Sequence, residues 1–231
     1  MSKAILSDKY PQFAEKLRSL GYQVIPSERV SRFLPYEQDH ADMQCLILDD
    51  TAFVLSCCHR LAENLSCDYH VELCGFHIDG GYPSNVCLNA AVLGKRLICR
   101  IPSLDQKVKD YCETYGYELI HVNQGYAKCS CAVIGDNALI TADKGIYHSL
   151  KESKIDILLI EEGRVRLDGA DYGFIGGASG YDKKTKTLYF CGDIDRHPDH
   201  ENIRRFCDRH NTKIVSLTDD ILTDVGGILF C

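Results

Sequence analysis

No C-x-x-C pair occurs in this 231-residue sequence, although it holds 13 cysteines. Their number is odd, and the first stretch, MSKAILSDKYPQFAEKL, turns charged too early for a secretory leader. A disulfide framework is therefore disfavoured, and reduced thiols in a cytosol are expected. The close clusters, Cys57-Cys58-His59 and Cys129-x-Cys131, lack zinc-site spacing. That weakens a metal- or redox-sensing role, and neither a metal nor a cofactor is expected. No apolar run approaches the roughly 20 residues that span a bilayer, so the chain reads as soluble and cytoplasmic, without a membrane partner. The glycine-rich stretch VRLDGADYGFIGGASG (165–180) lacks G-x-G-x-x-G and a Lys-Ser or Lys-Thr ending. It is no phosphate loop and reads as a loop and a closely packed strand over a site. Basic residues are not in excess either: 26 Lys and Arg against 33 Asp and Glu give a net charge of −7. That argues against nucleic acid as a partner, whereas a small cation would suit an acidic site.

What the sequence does have is a repeat. CLILDDTAFVLS (45–56), NAAVLGKRLICR (89–100), CAVIGDNALITA (131–142) and ASGYDKKTKTLYFC (178–191) share a layout of apolar strand, tight polar turn and second apolar strand. The turns are expected at Asp49-Asp50, Gly94-Lys95, Gly135-Asp136 and Tyr181-Asp182. Their first residues fall 45, 41 and 46 positions apart. The gap that remains, from Tyr181 round through the termini to Asp49, is about two further steps. A fifth hairpin is expected there, its halves GGILFC (226–231) and KAILSD (3–8).

Each hairpin is preceded by a helical pattern and a further strand. Phe13, Leu17 and Leu20 precede GYQVI; Leu61, Ala62 and Leu65 precede YHVELCGF; Val108, Tyr111, Cys112 and Tyr115 precede GYELIHV. Leu150 lies ahead of IDILLI, and Ile203, Phe206 and Cys207 precede TKIVSL. Asp199 is placed to cap the last helix, so HPDH (197–200) reads as a helix start rather than a metal site. Five α/β units of about 46 residues, none able to bury its apolar face alone, suggest a ring that makes one domain over residues 1–231. An ordinary α/β or α+β sheet is the competing architecture.

Fivefold α/β units closed at the termini resemble the pentein, or guanidine-modifying-enzyme, superfamily, whose fold is an α/β propeller. Three short motifs carry the resemblance in rotated order. Thr223-Asp224-Val225-Gly226-Gly227 is similar to its acidic Gly-Gly motif, His40-Ala41-Asp42 to its H-x-D strand, and Gly125-Tyr126-Ala127-Lys128-Cys129 to its nucleophile motif. His40 and Cys129 stand two repeats apart, Asp224 and His40 one repeat apart through the termini. The resemblance implies a cysteine-dependent hydrolase or amidinotransferase acting on a small cationic guanidino compound. Cys129 would be the nucleophile, His40 the acid/base, and Asp42 and Asp224 the carboxylates that grip the guanidinium or orient His40. An unrotated assignment competes: Cys231 as nucleophile with Asp79-Gly80-Gly81 as the acidic motif, though the unit that should then hold a histidine, 127–130, has none. A non-catalytic binding protein on the same scaffold is the alternative function.

That chemistry needs a thiolate, carboxylates for a flat cation and a proton donor for the departing amine. Lys128 beside Cys129 could favour the thiolate only by pointing inward, but strand alternation turns it away from the site and puts Cys129 and Cys131 on one face. Most of the other cysteines read as small apolar filler.

Overall fold

The strand pairing follows the hairpin count. In the computed structural model, which describes residues 2–75 and 81–231, five three-stranded sheets form. The first unit is β1 (Lys3–Leu6), α1 (Pro11–Ser19) and β2 (Gln23–Pro26). The second is α2 (Ala41–Gln44), β3 (Cys45–Leu48), β4 (Thr51–Leu55), α3 (His59–Leu65) and β5 (His70–Cys74). The third is β6 (Ala91–Leu93), β7 (Arg96–Cys99), α4 (Gln106–Tyr115) and β8 (Glu118–His121). The fourth is α5 (Ala127–Ser130), β9 (Cys131–Ile134), β10 (Ala138–Thr141), α6 (Lys144–Leu150) and β11 (Asp156–Leu159). The fifth is β12 (Ser179–Asp182), β13 (Thr187–Phe190), α7 (His200–Arg209) and β14 (Lys213–Ser216), and β15 (Leu229–Phe230) ends the chain.

Each sheet has one plan: an inner strand antiparallel to the next, which pairs in parallel with a third across a helix. The helix and third strand therefore follow the hairpin they belong to and do not precede it as the sequence reading expects, because a parallel partner is reached only by a crossover from the hairpin's second strand. The first sheet obtains its inner strand from the other end of the chain, since β15 pairs antiparallel with β1 through Ala4↔Phe230 and Ile5↔Leu229. The terminal halves therefore form the fifth hairpin-like pair that the spacing predicts. Among the described residues the sheets are separate ladders. One side chain of every inner strand, Ile47, Val92, Val133, Tyr181 and Leu229, lines a common central channel of about 380 Å³. This is the five-unit α/β propeller of the pentein fold.

The helices cover the outside and bury one stripe each. Phe13 and Leu17 of α1 are buried, and so are Val108 and Cys112 of α4, and Ile203, Phe206 and Cys207 of α7. Leu20 and Tyr115 are exposed, contrary to the helical pattern. Leu20 lies past the last residue of α1 as its C-terminal cap, and Tyr115 ends α4, where its ring lies on Tyr111 at 4.2 Å between centroids. Asp199 does precede α7, but its carboxylate is committed to the Glu161 N–H and the Asn202 amide. The fourth hairpin turn is shifted: Tyr181 and Asp182 belong to β12, and the chain reverses over Lys183–Lys186 (183–186), with Lys186 at φ +52°. Ten of the 13 cysteines are buried and all are free thiols, which fits apolar filler.

Candidate functional site

Every inner strand begins at the same end of the channel, and the residues just before those strands meet there. Before β3, the single turn α2 carries Asp42, whose N–H donates to Gly226 O at 3.0 Å. His40 immediately precedes that turn. Before β9, the single turn α5 carries Cys129, whose carbonyl accepts from Gly177 N at 2.9 Å. Before β15, Asp224 is fixed by its own backbone, with its N–H on Arg166 O at 2.8 Å.

The four residues singled out by sequence thus come together from three parts of the chain. One ligand-type atom each of His40, Asp42 and Cys129 lies within 4.8 Å of the others. His40 Nδ1 stands 3.9 Å from Asp224 Oδ1. All four are buried, His40 at 5%, Asp42 at 1%, Cys129 at 2% and Asp224 at 1% exposure, so water screens their charges little. Asp224 is the best-anchored carboxylate: Oδ2 accepts from Phe174 N at 2.8 Å and Oδ1 from Gly226 N at 3.0 Å. Asp42 is the opposite: among the described residues neither of its oxygens has an N–H or O–H partner, and the carboxylate faces the Cys129 thiol. Burial pushes its carboxyl up to about 6, against the smaller opposing pull of Lys128 and His40. Burial, and then the nearby Asp42 and Asp224 charges, hold the Cys129 thiol well above its ordinary value. The Cys129 thiol is therefore held in its protonated form, and a positive charge added beside it favours the thiolate.

Glycines make the convergence possible. A Cβ on Gly177 would run into the Asp224 carboxylate, and one on Gly226 into His40. Gly226 and Gly227 also take the left-handed φ values of +77° and +72° that a glycine pair tolerates. The stretch 165–180 is accordingly a loop and a strand packed against the site, as its composition suggests.

Two readings of the sequence fail locally, for one reason. Residues 127–130 are a helical turn, so strand alternation does not apply there. Lys128 consequently points inward, its Nζ donating to Gly176 O at 2.9 Å. Cys131 lies on a different side from Cys129, packed with Ile146, Leu150 and Leu139 behind β9. Cys231 sits elsewhere, bonded through its backbone to Lys3. The charges that act on its thiol are those of Lys3, Lys184 and Asp68, and burial raises it to about 11. Of its acidic motif, Asp79 and Gly80 lie outside the described residues.

Sequence reasoning missed Asn89. Its side chain donates to Asp42 O at 3.0 Å and reaches Cys129 Sγ at 3.1 Å, while Oδ1 accepts from Lys128 N at 2.8 Å. A signal existed: aligned on their turns, Gln44, Asn89 and Ser130 each stand five residues before Asp49, Gly94 and Gly135. All three are buried polar residues at the channel end of their units.

A family model described as "Family of unknown function (DUF6873)" matches residues 5–229. The chain belongs to that family. No curated protein matches the sequence. Among solved structures, this DUF6873 member is similar to DDAH from Pseudomonas aeruginosa, a cysteine-to-serine mutant complexed with citrulline. The TM-score is 0.58 at 12% identity, covering 94% of this chain and 92% of that one. A dimethylarginine dimethylaminohydrolase adduct gives a TM-score of 0.59 at 11% identity with the same coverage. C. jejuni agmatine deiminase gives 0.50 at 11% identity, covering 94% and 87%. At such identities the likeness establishes the fold, and the fold is pentein. No helix among the described residues is long and apolar enough to cross a membrane.

Proposed function

We propose that the chain is a cysteine-dependent hydrolase or amidinotransferase acting on a guanidino compound. The observation that carries this reading is the burial of Cys129, His40, Asp42 and Asp224 at one end of the channel, contributed by three separate units. The structural relatives that bind citrulline or are named as agmatine deiminase support the class of ligand.

The chemistry follows from the charges. A guanidinium that enters beside Asp42 brings a further positive charge to the buried thiol, besides that of Lys128, so binding favours transfer of the Cys129 proton to His40. The thiolate attacks the guanidinium carbon and forms a C–S bond. The C–N bond to the leaving amine then breaks, and the amine takes a proton from His40. His40 next removes a proton from water, which attacks the thiouronium carbon. The C–S bond breaks and returns the sulfur to thiolate, with a urea-type product. In transfer, an amine takes the place of water. Asp224, anchored by two backbone N–H groups, stands 3.9 Å from His40 Nδ1 and is placed to orient its ring.

The test is alkylation with a haloacetamidine, mapped to a residue by mass spectrometry. Selective modification of Cys129, lost in Cys129→Ser, is expected; labelling spread over Cys57 and Cys67, the exposed thiols, sinks the proposal. The His40, Asp42 and Cys129 trio favours a second reading, since thiolate, imidazole and carboxylate together could hold a metal ion. Elemental analysis of the purified protein, and of Cys129→Ser, decides that reading.

A further inference from the structure

The nucleophile reading does not use the ammonium that the structure places beside it. Lys128 reaches inward from α5, and one of its protons is bonded to Gly176 O at 2.9 Å. Its Nζ faces Asp42 across Gly227: a Cβ built on that glycine would lie 3.0 Å from Lys128 Nζ and 3.3 Å from Asp42 Oδ2. Both side chains line the floor of the central channel. The arrangement is written in the repeat, because Asp42 and Lys128 each stand seven residues before their turns, at Asp49 and Gly135. Two units thus present opposite charges from equivalent positions into one space.

This matters for what can bind. Among the described residues the two buried oxygens of Asp42 have no N–H or O–H partner and face only the Cys129 thiol, so the carboxylate is an acceptor open to a cationic or N–H-bearing group. The charge already facing it belongs to the protein. Two like charges about 4 Å apart interact strongly even at an effective dielectric of about 20. An incoming guanidinium therefore meets repulsion from Lys128 unless the lysine yields. It has room to move, since Leu88, Ala90 and Ile228 also line the channel and can pack against its apolar stem while the ammonium keeps to the water-accessible space.

We propose that Lys128 is the specificity-determining residue of this site: its ammonium stands in the cation seat beside Asp42 and discriminates against cationic groups until it is displaced along the channel. This inference rests on the reading of Cys129 as the nucleophile and adds to it a charge filter built into the preceding residue.

The test compares two thiol reagents, chloroacetamidine, which is cationic, and iodoacetamide, which is neutral. Rates of modification at Cys129 are measured in the parent chain, Lys128→Met and Lys128→Gln. The glutamine variant keeps a donor for Gly176 O if the methionine variant folds poorly. The expected result is that both variants react about tenfold or more faster with chloroacetamidine, as removal of a nearby like charge requires. The iodoacetamide rate should not rise, because a neutral reagent feels no repulsion from the ammonium and loss of that charge leaves less thiolate. If both reagents change by the same factor, Lys128 only sets the reactivity of the thiol and the inference fails while the nucleophile reading stands. A chloroacetamidine rate that falls overturns it as well. If neither reagent modifies Cys129 in any of the three forms, the nucleophile reading and this inference fail together.

Discussion

Asn89 ties the Cys129 unit to the Asp42 unit: its amide nitrogen lies 3.0 Å from Asp42 O and 3.1 Å from Cys129 Sγ, and its Oδ1 accepts the Lys128 N–H at 2.8 Å. A single buried amide thus fixes both one-turn segments. Asn89→Ala leaves a buried N–H and a carbonyl unpaired, at a cost of about 1–3 kcal/mol. Asn89→Asp removes the donor but keeps an acceptor for Lys128 N. Urea unfolding should place Asn89→Ala below the parent, and both variants should lose selectivity of labelling at Cys129.

Asp42 gives stability a definite pH dependence. Its carboxyl is raised from 3.8 to about 6, chiefly by burial. Between those values the folded chain holds a proton that the unfolded chain has released. Stability contributed by this group is therefore fully present at low pH and lost as pH rises through about 6. The gap corresponds to about 3 kcal/mol. Asp42→Asn should be more stable than the parent above pH 7 by that order, with the difference closing below about pH 4. Denaturant midpoints at pH 4 and 7.5 check this, and an equal difference at both would refute it.

The Cys129 thiol lies well above its ordinary value through burial and the Asp42 and Asp224 charges. Its reaction with iodoacetamide should still be climbing at pH 9, because only the thiolate reacts. Asp42→Asn removes one of those charges and should shift the rate profile to lower pH. A profile already flat by pH 8 in the parent would contradict the environment described.

Gly177 has no room for a methyl group, since a Cβ there meets the Asp224 carboxylate. Gly177→Ala should destabilise by more than about 2 kcal/mol and abolish selective labelling. Gly21→Ala is the contrast: nothing lies within 4 Å of a Cβ there, although its φ of +91° carries strain. It should leave Cys129 labelling intact, even where thermal melting shows some loss of stability.

The joint between the first and last units rests on Tyr22, whose hydroxyl donates to Asp182 Oδ2 at 2.5 Å and lies 3.0 Å from Tyr189 OH. Burial, then the Asp182 and Tyr189 bonds, raise its phenol far above the ordinary range. Tyr22→Phe should cost about 1–3 kcal/mol in urea unfolding without changing which cysteine is labelled.

Much of this fold could be read from the sequence because hairpin turns are local. Asp49, Gly94 and Gly135 all take positive φ, and turn chemistry marks such positions. Phe13, Leu17, Ile203 and Phe206 likewise announced the buried stripes of their helices. The fourth turn was displaced because Tyr181 and Asp182 extend β12, and Lys183–Lys186 (183–186) make the reversal, with no glycine to mark it. At the candidate site, the motifs pick out four residues that the fold brings together, His40, Asp42, Cys129 and Asp224, but strand alternation gives the wrong orientation for Lys128. Four residues of helix before a strand leave no periodic trace, and only the comparison of unit with unit exposes them. Asn89 was missed for a related cause: its partners lie 40 and 47 positions away, and no local pattern encodes a bond across the channel.

Cys129 also measures assembly. Its surroundings are drawn from residues near 40, 89, 176 and 224, so its burial requires that β15 be seated on β1 and that distant loops be closed first. Contacts at such separations form late in folding. Protection of this one sulfur from a pulse of alkylating reagent during refolding would therefore time the completion of the whole circle, and a variant with a native-looking spectrum but an unprotected Cys129 would be a circle left open.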